Sequence, residues 1–145
     1  MIEQERKFIL KYLPSGLKSE KIKQGYVSNN GKSQVRVRII DDINSFITIK
    51  FKIDIQRRNE FEYKIPLGDA VEIYESCILK LEKTRYKTKF NSNKVDIDIY
   101  ESGEGVVEIE FENELTSIPD YCGDEITGNK DWSNITFAKK SQSLN

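Results

Sequence analysis

The stretch Ile2-Glu3-Gln4-Glu5-Arg6-Lys7-Phe8-Ile9-Leu10 decides the fold, because its charges sort with a period of two. Successive side chains of a strand point to opposite faces, so Glu3, Glu5 and Lys7 line one face together. Two neighbouring carboxylates repel unless a cation lies between them, and hard divalent ions such as Mg²⁺ and Mn²⁺ favour oxygen ligands of this kind. An ordinary half-solvated strand would show the same alternation, so the rest of the chain has to decide.

The alternation recurs, with the charges sorted by sign from strand to strand. Arg36 and Arg38 alternate with Val35, Val37 and Ile39; Lys50 and Lys52 alternate with Ile49, Phe51 and Ile53; Lys83, Arg85 and Lys87 share a face. Glu60 and Glu62 flank Phe61, Asp96 and Asp98 flank Ile97, and Glu108, Glu110 and Glu112 flank Ile109 and Phe111. A plain amphipathic sheet usually mixes signs within a strand for solubility and cross-strand pairing. Same-sign pairs instead imply patches that each meet a mobile ion of opposite sign, a polyanion at the basic ones and metal at the acidic ones. If such a sheet closes with its charged face inward, both ligands meet in one water-filled channel.

Composition sets the outer limits. A chain of 145 residues is expected to be one domain, residues 1–145, with a real core. Its 23 basic and 24 acidic residues nearly cancel, so no global field gathers nucleic acid or an anionic membrane, and the locally sorted charge points to a small, highly charged ligand. No apolar run approaches the roughly 18 residues of a membrane span, and the charged N-terminus is not a signal peptide; a cytoplasmic protein is expected. Cys77 and Cys122 make no metal-ligand spacing, and the absence of histidine removes Ser-His-Asp and Cys-His catalysis and the usual zinc sites. Any catalysis must rest on carboxylates, lysine, arginine, tyrosine and a bound metal.

Strands are predicted over 2–11, 21–29, 34–41, 45–54, 58–66, 82–90, 94–101 and 105–114, separated by turn residues such as Asn29-Asn30-Gly31 and Asn91-Ser92-Asn93. One helix is predicted with Asp69 as its cap, Glu72 three residues on, and Ala70, Ile73, Cys77, Ile78 and Leu81 at helical spacing. A short C-terminal helix around 131–139 is expected to set Trp132 and Phe137 against the sheet, followed by a polar tail from Ser141 to Asn145.

Taken together these segments resemble the CYTH superfamily, the triphosphate tunnel metalloenzymes. The resemblance rests on Glu3-x-Glu5-x-Lys7, Gln24-Gly25-Tyr26, Val35-Arg36-Val37-Arg38, Thr48-Ile49-Lys50, Arg58-x-Glu60-Phe61-Glu62-Tyr63, Lys83-Thr84-Arg85-Tyr86, Asp98, Glu108-Ile109-Glu110 and Gly123-Asp124-Glu125-Ile126-Thr127-Gly128, all in the family's order. It implies an α+β, mainly β fold: a closed eight-stranded antiparallel barrel, or tunnel, with a charged interior and flanking helices. Three departures stand out: Val95-Asp96-Ile97-Asp98 lacks a leading aromatic, the loop from Glu101 to Gly105 is short, and Lys52 lengthens the fourth strand.

The resemblance also implies roles. Arg36, Arg38, Lys50, Lys83 and Arg85, with Arg58 as a further member, would clamp the oxygens of a small triphosphate, the arginines through bidentate forks. Glu3, Glu5, Glu60, Glu62, Asp98, Glu108 and Glu110 would ligate Mg²⁺ or Mn²⁺ in up to two positions, although Glu60 and Glu62 serve equally well as counterions of basic tunnel residues. Lys7 would orient the attacking water or the terminal phosphate, with Tyr26 in support; Tyr26 reads equally as a barrel-wall aromatic.

The favoured activity is metal-dependent hydrolysis of inorganic tripolyphosphate, since nothing in the sequence marks a base or thiazole pocket. The alternatives are class IV adenylyl cyclisation of ATP and a non-enzymatic polyphosphate or nucleotide binder. No nucleic-acid or membrane partner is expected. The apolar outer wall of a charge-filled barrel needs cover that two helices do not provide, which points to a homodimer.

Overall fold

The computed structural model describes residues 1–143. Nine strands form one sheet: β1 (Ile2–Leu10), β2 (Ser19–Asn29), β3 (Ser33–Ile40), β4 (Asn44–Lys52), β5 (Arg57–Lys64), β6 (Leu79–Phe90), β7 (Asn93–Tyr100), β8 (Gly105–Glu110) and β9 (Cys122–Glu125). Helix α1 (Leu67–Ser76) joins β5 to β6, and α2 (Asn134–Ser143) ends the described chain. The order β5-β4-β3-β2-β6-β7-β8-β1 closes on itself through an antiparallel β1–β5 pairing, which gives an eight-stranded antiparallel barrel. The additional strand β9 is explained by a shared edge. The Glu5 N–H donates to the Gln56 carbonyl beside β5, and further along the same edge the Ile126 N–H donates to the Lys7 carbonyl beyond β9.

The β2–β3 turn at residues 30–32 and the β6–β7 turn at residues 91–92 lie together at one end of the barrel. Asn91 and Ser92 take φ of 48° and 69°, the paired left-handed conformations that a two-residue type I′ hairpin requires. Asparagine tolerates this at low cost, serine less readily.

The period-two alternation turns the charges inward and the apolar side chains outward. Phe8, Val95, Ile97, Val107 and Ile109 form a buried outer cluster with Cys122 under Leu115 and Tyr121. Each such aliphatic side chain contributes about 1.5–3 kcal/mol of burial. Helix α1 sets Ala70 and Cys77 on Val37 and Ile39. It approaches closely because β2 carries Gly25, where a Cβ would lie 2.9 Å from Cys77 Sγ. Among the described residues, the outer face of β4 and β5 is less covered towards Phe51 and Phe61, which meet edge to face at 6.4 Å and are 47% and 37% exposed.

The barrel is plugged at the end opposite those turns. Tyr26, Leu81, Tyr100 and Val106 face inward there, because their register partners are Arg36, Gln24, Lys83 and Asp98. Helix α2 drops Phe137 and Ala138 onto them, with the Phe137 ring stacked on Tyr100 at 3.8 Å and Trp132 against its edge. The tunnel is therefore a cup with its mouth at the turn end.

Several local readings are corrected. Helix α1 begins two residues before Asp69, behind Pro66, and has no side-chain cap; Asp69 lies in its first turn, where a carboxylate complements the helix dipole. Leu81 belongs to β6 and faces the barrel interior, and Ile78 is 79% exposed, because the chain leaves the helix at Cys77. The C-terminal helix starts at Asn134 after a 3₁₀ turn at Lys130–Trp132. Of the polar tail, Ser141–Ser143 belong to α2, and Leu144 and Asn145 lie outside the described residues.

Candidate active site

The cup is a cavity of about 1340 Å³, and its lining includes Glu3, Glu5, Lys7, Arg36, Arg38, Lys50, Arg58, Glu60, Glu62, Arg85, Glu108 and Glu110. One-half of the ring is basic. Arg36 and Arg38 on β3 and Lys50 on β4 project from adjacent strands, with Arg36 in register with Thr48 and Lys50 with Glu60. The facing half is acidic: β1 and β8 pair Glu5 with Glu110 and Lys7 with Glu108. Since β3 and β8 are four strands apart in a ring of eight, the arginine pair looks across the cavity at the carboxylates.

Most of these charges hold one another. Lys50 Nζ lies 3.8 Å from both Glu3 and Glu60, and Arg36 Nη2 lies 3.7 Å from Glu60. Arg58 donates to Glu5 and lies 3.7 Å from Glu3. Lys7 Nζ lies 3.6 Å from Glu108 Oε1 and donates to the Trp132 carbonyl at 3.3 Å, which ties β1 to the plug.

Three expected site residues, Lys83, Asp98 and Tyr26, sit deeper than the cavity wall. Lys83 donates to Asp98 at 2.8 Å, while Arg85 donates to both oxygens of the same carboxylate. The Tyr26 hydroxyl accepts from Gln24 Nε2 at 2.6 Å, within the inner apolar cluster.

Burial dominates the titration of these groups. It raises Glu5, with Glu108 adding repulsion and Arg58 and Lys50 opposing. It also raises Glu3, helped by a hydrogen bond with Glu60. Burial works against the Glu108 charge as well, yet Lys7, Lys83 and Arg85 prevail and bring that carboxyl down to about 2. Lys50 is drawn down to about 8 by burial and by Arg36. Burial likewise raises the Tyr26 phenol, which disfavours a phenolate.

The donor set fits a hard divalent cation. It is all oxygen, it places Glu3, Glu5, Glu108 and Glu110 on neighbouring strands, and it includes a buried Asp96 Oδ1 that has no hydrogen-bond partner. As the side chains stand, the described residues contain no ready-made group of three such ligands, because the cations above occupy the carboxylates.

Two members of the site, Asp96 and Gln24, were named in sequence patterns but given no site role from them. Asp96 lines the cavity and lies 3.4 Å from Arg85, on the face it shares with Asp98, so the acidic alternation already held that signal. Gln24 is fully buried behind Arg38, and only strand register reveals that contact.

The chain matches the CYTH domain over residues 1–135. It is 36% identical to a protein named inorganic triphosphatase from Acetivibrio thermocellus, with 94% of this chain and 93% of that protein covered. Among solved structures, one of an inorganic triphosphatase superposes with a TM-score of 0.67 at 26% identity, covering 94% of this chain and 93% of that one. A candidate adenylate cyclase from Vibrio parahaemolyticus superposes with a TM-score of 0.54 at 9% identity over 78% of each chain, a likeness of fold alone.

Proposed function

The chain belongs to the CYTH domain family, and from that premise we propose that it hydrolyses a small triphosphate, inorganic tripolyphosphate, with the help of a divalent cation. The carrying observation is the opposition of walls inside one closed cup: Arg36, Arg38 and Lys50 on one side, Glu3, Glu5, Glu108 and Glu110 on the other. A linear triphosphate carries several charges in a row, and this cavity presents cations for its oxygens beside carboxylates that would hold a divalent cation.

In this reading Arg36, Arg38 and Lys50 grip the phosphate oxygens, and the plug at Trp132 and Phe137 stops the chain and excludes water behind it. Lys7, fixed between Glu108 and the Trp132 carbonyl, aims its ammonium at the terminal phosphoryl group or at the water that strikes it. Glu3, Glu5, Glu108 and Glu110 would hold Mg²⁺ or Mn²⁺. When bound, that ion supplies Lewis acidity to the phosphate oxygens and to the attacking water. Asp98 serves in this scheme as the counterion of Lys83 and Arg85.

The proposal extends to a cytoplasmic setting, in keeping with two free, buried cysteines. It also extends to self-association through the less covered outer face of β4 and β5, which light scattering of wild type against Phe61→Ser tests. The activity itself is tested with tripolyphosphate, ATP and thiamine triphosphate, each with Mg²⁺ or Mn²⁺, scored for phosphate release and for cyclic AMP. Phosphate release fastest from tripolyphosphate is the expected result. Cyclic AMP from ATP, or no turnover of any of the three, overturns the reading.

A further inference from the structure

The cations of the tunnel are not equivalent. Lys7, Arg36, Lys50, Arg58, Lys83 and Arg85 each have a carboxylate as ion-pair partner. Arg38 is as deeply buried as they are, at 8% exposed, and among the described residues it has no ion pair. Its guanidinium is held by Gln24, whose Oε1 accepts from Arg38 Nε at 3.0 Å and from Nη2 at 2.9 Å.

The geometry of that contact is close to that of a carboxylate clamp, but its charge is not. Arginine has donors only, so the Gln24 oxygen must face Arg38 and the Gln24 amide nitrogen must face Tyr26, to whose hydroxyl it donates at 2.6 Å. Gln24 is 0% exposed and stands behind Arg38, outside the cavity lining, so it does not itself meet a ligand. An uncompensated buried guanidinium is costly unless something later pairs with it. Burial, with Arg36 and Arg85 close by, outweighs the attraction of Asp98, which is not in ion-pair contact, and disfavours the Arg38 charge.

We propose that Gln24 is a positioning residue: it fixes the Arg38 fork toward the cavity and, being neutral, leaves the full positive charge for an anionic phosphate oxygen. Arg38 is then the anion anchor of the tunnel, two residues deeper along β3 than Arg36. A glutamate of the same size would hold the same fork and cancel it. The inference rests on the triphosphate reading above and adds to it which cation is reserved for the substrate and how.

The test compares wild type with Gln24→Glu and Gln24→Met, each also in an Arg38→Ala background. Tripolyphosphate is the probe, for calorimetric binding in EDTA and for kinetics with Mg²⁺. Gln24→Glu should weaken binding and raise KM by about tenfold or more, while kcat changes by less than about threefold and the Tm does not fall. Gln24→Met, which frees the fork without cancelling it, should weaken binding less. Neither substitution should cost further affinity once Arg38 is alanine, because Gln24 acts only through it.

Wild-type affinity in Gln24→Glu, or a loss of equal size with and without Arg38, overturns the role of Gln24. If Gln24→Glu does not fold, the Gln24→Met pair decides by the same criterion. Failure of the wild type itself to bind and hydrolyse tripolyphosphate overturns the functional reading, and this inference with it.

Discussion

Lys83 Nζ lies 2.8 Å from Asp98 Oδ2, with the two side chains 0% and 1% exposed. Arg85 takes both oxygens of the same carboxylate, so Asp98 is enclosed by two cations at the base of the tunnel. Burial opposes the Asp98 charge, but Lys83 and Arg85 outweigh it and hold the carboxyl well below the usual carboxylate range.

Asp98→Asn should therefore act first on the fold. Removing this charge leaves two buried cations without their main partner, a loss of about 3–5 kcal/mol. Urea unfolding measures it. A variant within about 1 kcal/mol of wild type that had nonetheless lost activity would make Asp98 a metal ligand instead of a counterion.

Glu5→Gln should have the opposite balance, with turnover abolished and stability kept or improved. The folded pKa of Glu5 is raised, so its favourable contribution is complete below the ordinary carboxylate value and is lost as pH rises through the raised one. Glutamine does not titrate. The Tm of Glu5→Gln minus that of wild type should be smallest in acid and grow across that window. A difference independent of pH would show that the Glu5 carboxyl is not raised.

The alternation at Glu3, Glu5 and Lys7 made a charged strand face legible in the sequence, because a period of two follows directly from strand geometry, while closure into a barrel with that face inward came from the family resemblance. Long-range packing was harder to read. Leu81 continues the helical spacing of Ala70, Ile73 and Cys77, yet the extended backbone at Cys77 ends the helix and places Leu81 on β6. The C-terminal helix was expected to set Trp132 and Phe137 against the sheet, but no local pattern encodes that Phe137 stacks on Tyr100, 37 residues away, to plug the barrel. Gln24 stands in the Gln24-Gly25-Tyr26 segment, but its role was not legible there for a related reason. A neutral amide between charged strands looks unremarkable until the register sets it opposite Arg38. The expected ligand residues mostly share one cavity, whereas their division into pairs such as Glu5 with Arg58 is a property of side-chain reach, which spacing does not fix.

Lys50 should give the activity an alkaline limb. Burial and Arg36 bring it down to about 8, so in the free protein a cation of the clamp is lost as pH rises through that value. The ratio kcat/KM reports ionisations of the free enzyme and should decline with an apparent pKa near 8. In Lys50→Arg, whose guanidinium stays charged, that limb should disappear. An unchanged limb in the variant would assign it to another group.

Lys7 and Arg38 should separate by kinetic signature. Arg38→Ala removes a fork that grips the substrate before and during reaction, so it should raise KM, and lower kcat only if the contact tightens as charge develops. Lys7 is built differently: it is a single ammonium pinned at 3.6 Å from Glu108 and at 3.3 Å from the Trp132 carbonyl, at the meeting of the acidic wall and the plug. A group held in that way contributes by where it aims its charge at the transition state, so Lys7→Ala should fall mainly on kcat, with binding of tripolyphosphate kept. Both variants are to be measured with tripolyphosphate at saturating Mg²⁺. If Lys7→Ala changed KM alone, Lys7 would be one more cation of the clamp, and the activation of water would have to come from the carboxylate wall and its ion without it.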